Sequence, residues 1–208
     1  MARPEIHHHK GDLPDNVKFS GSVAIDSEAM GLNPHRDRLC VVQLSAGDGT
    51  AHVVQLNEDF SYNCPNLKAL LADKSITKIY HYGRFDIAIL YHYLGVLTEP
   101  VYCTKIASKL VRNFTSRQGL KSLCSDLLGV ELSKQSQSSD WGSPELTKEQ
   151  LAYAASDVLH LHALKEKLDP MLKREGRFEM AQKCFEFLPT VAQLDLLGYE
   201  ELQVFTHS

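Results

Sequence analysis

Three short β-branched runs near the start of the chain limit what it can fold into. Ser22–Glu28 (SVAIDSE), Leu39–Ser45 (LCVVQLS) and Ala51–Leu56 (AHVVQL) are separated by loops rich in Gly, Asn, Pro and Asp. Closely spaced strands of this kind predict an antiparallel meander. The period then changes. Asn66–Ala72 reads as a helix and Ile76–His81 as a strand. Gly83–Gly95 reads as a helix with Ile87, Leu90, Tyr91 and Leu94 at helical spacing, and helices over Thr104–Arg112 and Gly119–Leu128 follow. Thr147 and Gln150 form a capping box that opens a long helix. Its apolar stripe is Leu151, Ala154, Ala155, Val158 and Leu161, and Pro170 is expected to kink or end it. The order of elements predicts an α/β or α+β domain with a mixed sheet over residues 1–175. Residues 176–208 are expected to form a short helical tail, rich in large apolar residues, that either packs on the domain or lies at a subunit interface.

Composition excludes several classes. The 208 residues suit one domain, and the net charge of −4 argues against a protein that coats nucleic acid. No apolar run approaches the roughly 20 residues of a membrane helix, and the N-terminus lacks the apolar core of a secretory signal. The five cysteines (Cys40, Cys64, Cys103, Cys124, Cys184) are odd in number and far apart, which suggests neither a disulfide framework nor a zinc site. A reducing cytoplasm is the expected location. The run His7–His9 is read as a solvated N-terminal segment.

The acids are more informative. Asp26 and Glu28 lie two apart on the first strand, so both project from one face. Asp86 falls in the first turn of the helix that follows HYG. Tyr153 and Asp157, four apart in YAASD, share a face of the capped helix. Each has an ordinary reading when taken alone: strand-end acids, a helix-dipole partner, a core tyrosine and a surface acid. Together they run in the order DxE, D, YxxxD. Carboxylates gathered in one cleft repel one another unless divalent metal neutralises them. Oxygen-only ligands suit Mg²⁺ or Mn²⁺. Two such ions about 3.5–4 Å apart can flank a scissile phosphate.

These three motifs resemble those of the DEDD 3′→5′ exonucleases, and the tyrosine places the resemblance in the DEDDy subclass. VAIDSEAMGL, HYGRFDIAIL, GLKSLCSDLLGVELSKQSQSSDW and LTKEQLAYAASDVLHL together resemble the catalytic domain of the RNase D family, from about Gly11 to Asp169. The helical nucleic-acid-binding domains of full-length members are not matched, so the resemblance is to the small single-domain nano-RNase C type.

The resemblance implies a ribonuclease H-like fold with a mixed five-stranded sheet flanked by helices. It implies Asp26, Glu28, Asp86 and Asp157 as ligands of two Mg²⁺ or Mn²⁺ ions, with Tyr153 orienting or deprotonating the attacking water. Met30, Gly31 and Leu32 would meet the terminal bases, Leu32 as a wedge; its other reading is a core leucine. His81 matches the family's turn. Arg112, Gln118 and Lys121, with Arg117, Lys134 and Gln137, are candidate phosphate contacts, and Trp141 would pack to fix the loop before the last motif. The implied substrates are the 3′ ends of short single-stranded RNA, dinucleotides included, cut to nucleoside 5′-monophosphates. A DNA 3′ end is the alternative substrate, and a non-catalytic RNA-binding protein is the rival of another class. The implied assembly is a homo-oligomer, an octameric ring.

Overall fold

The computed structural model describes residues 4–57, 59, 61–132 and 139–207. Strands β1 (Glu5–Lys10), β2 (Ser22–Ala29), β3 (Leu39–Ser45), β4 (Thr50–Gln55), β5 (Thr77–Tyr80) and β6 (Val101–Cys103) form one six-stranded sheet in the order β1-β4-β3-β2-β5-β6. The sheet is mixed. β2, β3 and β4 are the expected antiparallel meander, and β2–β5, β5–β6 and β1–β4 are parallel.

The sheet has six strands where five are expected, because the histidine run is not a free segment. It forms β1, an edge strand on β4, with the rings of His7 and His9 stacked on His52 at centroid distances of 5.2 and 5.3 Å. Three histidines carry no alternating apolar pattern, so the register with β4 is what makes the strand. The three-residue β6 is too short to show any period.

Helices α1 (Pro65–Ala72), α2 (Arg84–Leu94), α3 (Thr104–Val111) and α4 (Leu120–Leu123) follow the expected spans. α4 runs directly into a π-helical turn, Cys124–Leu128, an insertion that often marks functional ground. The capped helix is divided into α5 (Lys148–Leu159) and α6 (Leu161–Arg174), with the break at His160 rather than at Pro170. Pro170 sits inside α6 on its exposed side, as does Glu166, whose carbonyl loses its helical donor to the proline and can turn toward water. The tail is a single long helix, α7 (Phe178–Leu196), followed by a 3₁₀ segment, Glu200–Phe205.

Two helical layers cover the sheet. α2, α3, α6 and α7 pack together on the main core, which includes Ile25, Val42, Leu44, Ile79, Ile87, Leu168 and Phe185. α5 lies over β2, β3 and β4 on the other face. There Val41, Val53, Trp141 and Ala154 form a smaller cluster with Leu151 and Tyr153 against it. Among the described residues no helix is long and apolar enough to cross a membrane.

Candidate metal-dependent nuclease site

β2 leaves the sheet core with acids on one side and a serine on the other. Asp26 pairs across the ladder with Gln43 of β3, and Glu28 with Val41. Both acids therefore face the side that α5 covers. The capping box, with both its hydrogen bonds formed, starts α5 so that Tyr153 and Asp157 come down over them. Carboxylate oxygens of Asp26, Glu28 and Asp157 lie within 4.8 Å of one another. Asp86 arrives from the opposite layer in the first turn of α2, buried, accepting a 2.6 Å hydrogen bond from Ser27 Oγ. Its charge acts on all three of the others. The placement of Asp86 depends on Gly83 at the turn into α2. A Cβ there would lie 2.5 Å from Cβ of the buried Tyr80.

The electrostatics are those of a site waiting for positive charge. Enclosure by protein and the neighbouring carboxylates hold Asp26 far above its ordinary range. The same causes, desolvation first, push Glu28 up to about 9, and desolvation pushes Asp157 to about 7 and Asp86 to about 6. Asp26, Glu28 and Asp157 nevertheless keep a partial opening to solvent, as an entering ion requires. Repelling acids at this spacing, with oxygen the only donor, fit hard divalent cations such as Mg²⁺ or Mn²⁺. Tyr153 hydrogen-bonds Asp157, and desolvation with the nearby carboxylates raises its phenol above its normal range, so it is a neutral hydroxyl.

These shifts set the sign of a pH effect. Each acid binds its proton more tightly folded than unfolded, so the native state holds more protons than the unfolded chain across the interval between the two values. Metal-free protein should therefore lose stability as pH rises from the unfolded values near 4 through about 6, 7 and 9. Added Mg²⁺ should raise the melting temperature most at the alkaline end. Melting curves from pH 5 to 9 with chelator or Mg²⁺ test this; a metal-free melting temperature that climbs over that range would contradict the clustering.

A cleft of about 650 Å³ opens beside the acids, lined by Tyr153, Asp157, Arg117, Lys121, Ser125 and Glu131 among others. Lys121 is thus placed at the site. Met30 and Leu32, on the loop after β2, are 52% and 86% exposed, so Leu32 is not a core leucine. Gly31 lies so close to Asp37 that a Cβ would meet its Oδ2 at 2.3 Å. His81 is partly buried and bonds Thr104 Oγ1 through Nδ1 at 2.9 Å; desolvation lowers its pKa to about 3, so its ring is neutral.

Arg112 and Gln118 are placed differently. Both are buried. Arg112 is bound to Asp126. Gln118 bonds Ser108 Oγ at 2.5 Å and the carbonyls of Arg112 and Thr115 at 2.9 Å each. The two brace the 112–118 loop from inside, while Arg117, which also pairs with Asp126, lines the cleft. Lys134 and Gln137 lie outside the described residues. Trp141 is buried against Val41 and Val53, its ring 6.1 Å from that of Tyr153.

Two site residues escaped the sequence reading. Ser27 holds Asp86, and Gln43 Nε2 donates to Asp26 Oδ2 at 2.8 Å. The available signal for Gln43 was a long amide in the middle of an otherwise apolar strand, LCVVQLS.

A ribonuclease H-like sheet with four acids and a tyrosine carried on β2, α2 and α5 fits the 3′-5′ exonuclease class, and the family model of that description matches residues 11–173. The chain belongs to that 3′-5′ exonuclease family, in its RNase D branch. Brucella melitensis NrnC is similar throughout: 56% identity and a TM-score of 0.93, with 98% of this chain and 99% of that one covered. NrnC has also been solved with bound Mg²⁺ and bound to pGG. Ribonuclease D of Acidiphilium cryptum is 34% identical over 167 residues, 80% of this chain and 42% of the relative. Escherichia coli RNase D, an exoribonuclease involved in structured RNA processing, shares 26% identity at a TM-score of 0.72, with 84% of this chain and 45% of that one covered. The chain spans about two fifths of the length of the curated relatives it matches.

Proposed function

We propose that this protein is a metal-dependent 3′→5′ exoribonuclease acting on very short RNA, dinucleotides included, and releasing nucleoside 5′-monophosphates. The observation that carries the reading is the convergence of Asp26, Glu28 and Asp157 within 4.8 Å beside Tyr153. The likeness to NrnC, with its Mg²⁺-bound and pGG-bound forms, supports both the metal and the short substrate.

Asp26, Glu28, Asp86 and Asp157 would hold two divalent ions. When bound, such ions supply charge neutralisation at the phosphate and Lewis-acid activation of water. The chain's own residues do the rest. Tyr153 orients the attacking water; its neutral, upward-shifted phenol makes it a hydrogen-bonding guide rather than a free base. Water oxygen bonds to phosphorus in line with the bond to the penultimate 3′ oxygen. That bond breaks, the leaving oxygen takes a proton, and a new 3′-OH and a nucleoside 5′-monophosphate result. Lys121 and Arg117 supply positive charge along the cleft, and the exposed Leu32 presses against the terminal bases. The gain comes from positioning and charge stabilisation.

A homo-oligomer is part of this proposal, an octameric ring included. Leu197, Tyr199, Val204 and Phe205 are exposed near the chain's end, an apolar surface that a second copy could cover. The activity is tested by a substrate series: a diribonucleotide, a longer RNA, single-stranded DNA and duplex DNA, each with Mg²⁺, Mn²⁺ or chelator. The diribonucleotide should be turned over fastest, and only with metal. Faster cleavage of either DNA would overturn the RNA assignment.

A further inference from the structure

We infer that Gln43 is a positioning residue for the metal site: its amide locks the Asp26 carboxylate in the orientation that presents the other oxygen to the ion. The inference rests on the metal-binding reading above and deepens it.

Gln43 is fully buried at the centre of the sheet. It lies between Asp26 on β2 and Val53 on β4, its direct ladder partners on the two sides. Its own strand is otherwise apolar over Leu39–Leu44, and its neighbours on the α5 face, Val41 and Val53, pack against Trp141. A purely structural role here would be filled better by a hydrophobic residue of the same length, because a buried amide must be desolvated. Gln43 instead makes one side-chain bond, Nε2 to Asp26 Oδ2 at 2.8 Å, and its Oε1 finds no partner among the described residues. The metal-holding form of Asp26 is an ionised carboxylate, which only accepts hydrogen bonds, so the observed orientation, with the NH₂ end toward Asp26 and the carbonyl end turned away, is the one that form needs. The arrangement weakens local packing in return for one fixed acid.

That fixing has a use at this position. Asp26 is pressed by Asp86, Asp157 and Glu28. Left to itself its carboxylate would rotate away from the other three. With Oδ2 pinned toward β3, rotation about the terminal torsion is restricted and Oδ1 is left free for an ion. Partners that orient a metal's direct ligands typically change affinity by about 10–100-fold when removed.

Two variants test the inference. Gln43→Met keeps the volume and removes both the donor and the orphaned carbonyl. Gln43→Leu removes the donor and the orphaned carbonyl with a shorter apolar side chain. Mn²⁺ affinity is read without substrate by electron paramagnetic resonance of the free ion, and melting temperature is read in parallel without metal. The expected result is Mn²⁺ binding weakened about tenfold or more in both variants, with the melting temperature of Gln43→Met equal to or above that of the parent. A residue that only packs would give the opposite pattern, a lower melting temperature with Mn²⁺ affinity unchanged, and that result overturns the inference. If Gln43→Met does not fold, Gln43→Leu alone decides by the same affinity criterion. Failure of the parent protein to bind Mn²⁺ would instead strike the metal-site reading itself.

Discussion

Asp26→Asn lowers turnover of a short RNA by on the order of 10³-fold or more and at the same time raises the melting temperature of the metal-free protein at neutral pH. The two effects share one cause. Asp26 sits among Glu28, Asp86 and Asp157, where desolvation and repulsion oppose its ionisation, so at neutral pH folding without metal must either bury its charge or take up a proton. Asparagine keeps the shape and can still accept from Gln43 Nε2, so the ladder around β2 and β3 is undisturbed. Replacing the acid by a neutral amide removes that cost, which stabilises the fold, and removes a ligand, which disables the site. Initial rates on a labelled diribonucleotide, with melting curves in chelator, check both halves. Wild-type turnover in Asp26→Asn would mean the acids are not the catalytic group.

Tyr153→Phe separates metal holding from water placement. The phenyl ring can keep the contacts with Trp141 and the cluster beneath α5, so the helix stays seated. What disappears is the hydroxyl that bonds Asp157 and faces the acids. Loss of a positioned proton-handling group typically reduces rate by about 10²–10⁴-fold. That loss should fall on kcat, with KM and Mn²⁺ affinity little changed, because no carboxylate has been removed. Steady-state kinetics together with Mn²⁺ titration check it. A large fall in Mn²⁺ affinity with kcat intact would assign Tyr153 to the ligand scaffold instead.

The convergence of Asp26, Glu28 and Asp157 was legible because regular elements translate sequence spacing into direction. DxE on a strand puts both carboxylates on one face, and YxxxD on a capped helix does the same. The meander of β2 to β4 was legible because its strands are β-branched and bounded by turn residues. What stayed hidden depends on pairing between distant segments. Glu5–Lys10 becomes a strand only by its register with Thr50–Gln55. The passage of α6 through Pro170 follows from which side of the helix faces solvent, not from the proline alone. Arg112 and Gln118 looked like phosphate contacts by residue type, yet the fold turns both inward onto Asp126, Ser108 and loop carbonyls. Gln43 could be noticed in its strand, but its role required knowing that Asp26 lies directly opposite.

The most direct test of the account follows the ends of one oligoribonucleotide. Short RNA labelled at its 5′ or its 3′ terminus is incubated with the protein in Mg²⁺, in Mn²⁺ and in excess chelator, and products are resolved with time. The account predicts that the 3′ label appears at once as nucleoside 5′-monophosphate while the 5′ label shortens stepwise, and that chelator stops both. Immediate release of the 5′ label as mononucleotide, internal cleavage, or undiminished hydrolysis in chelator would contradict it.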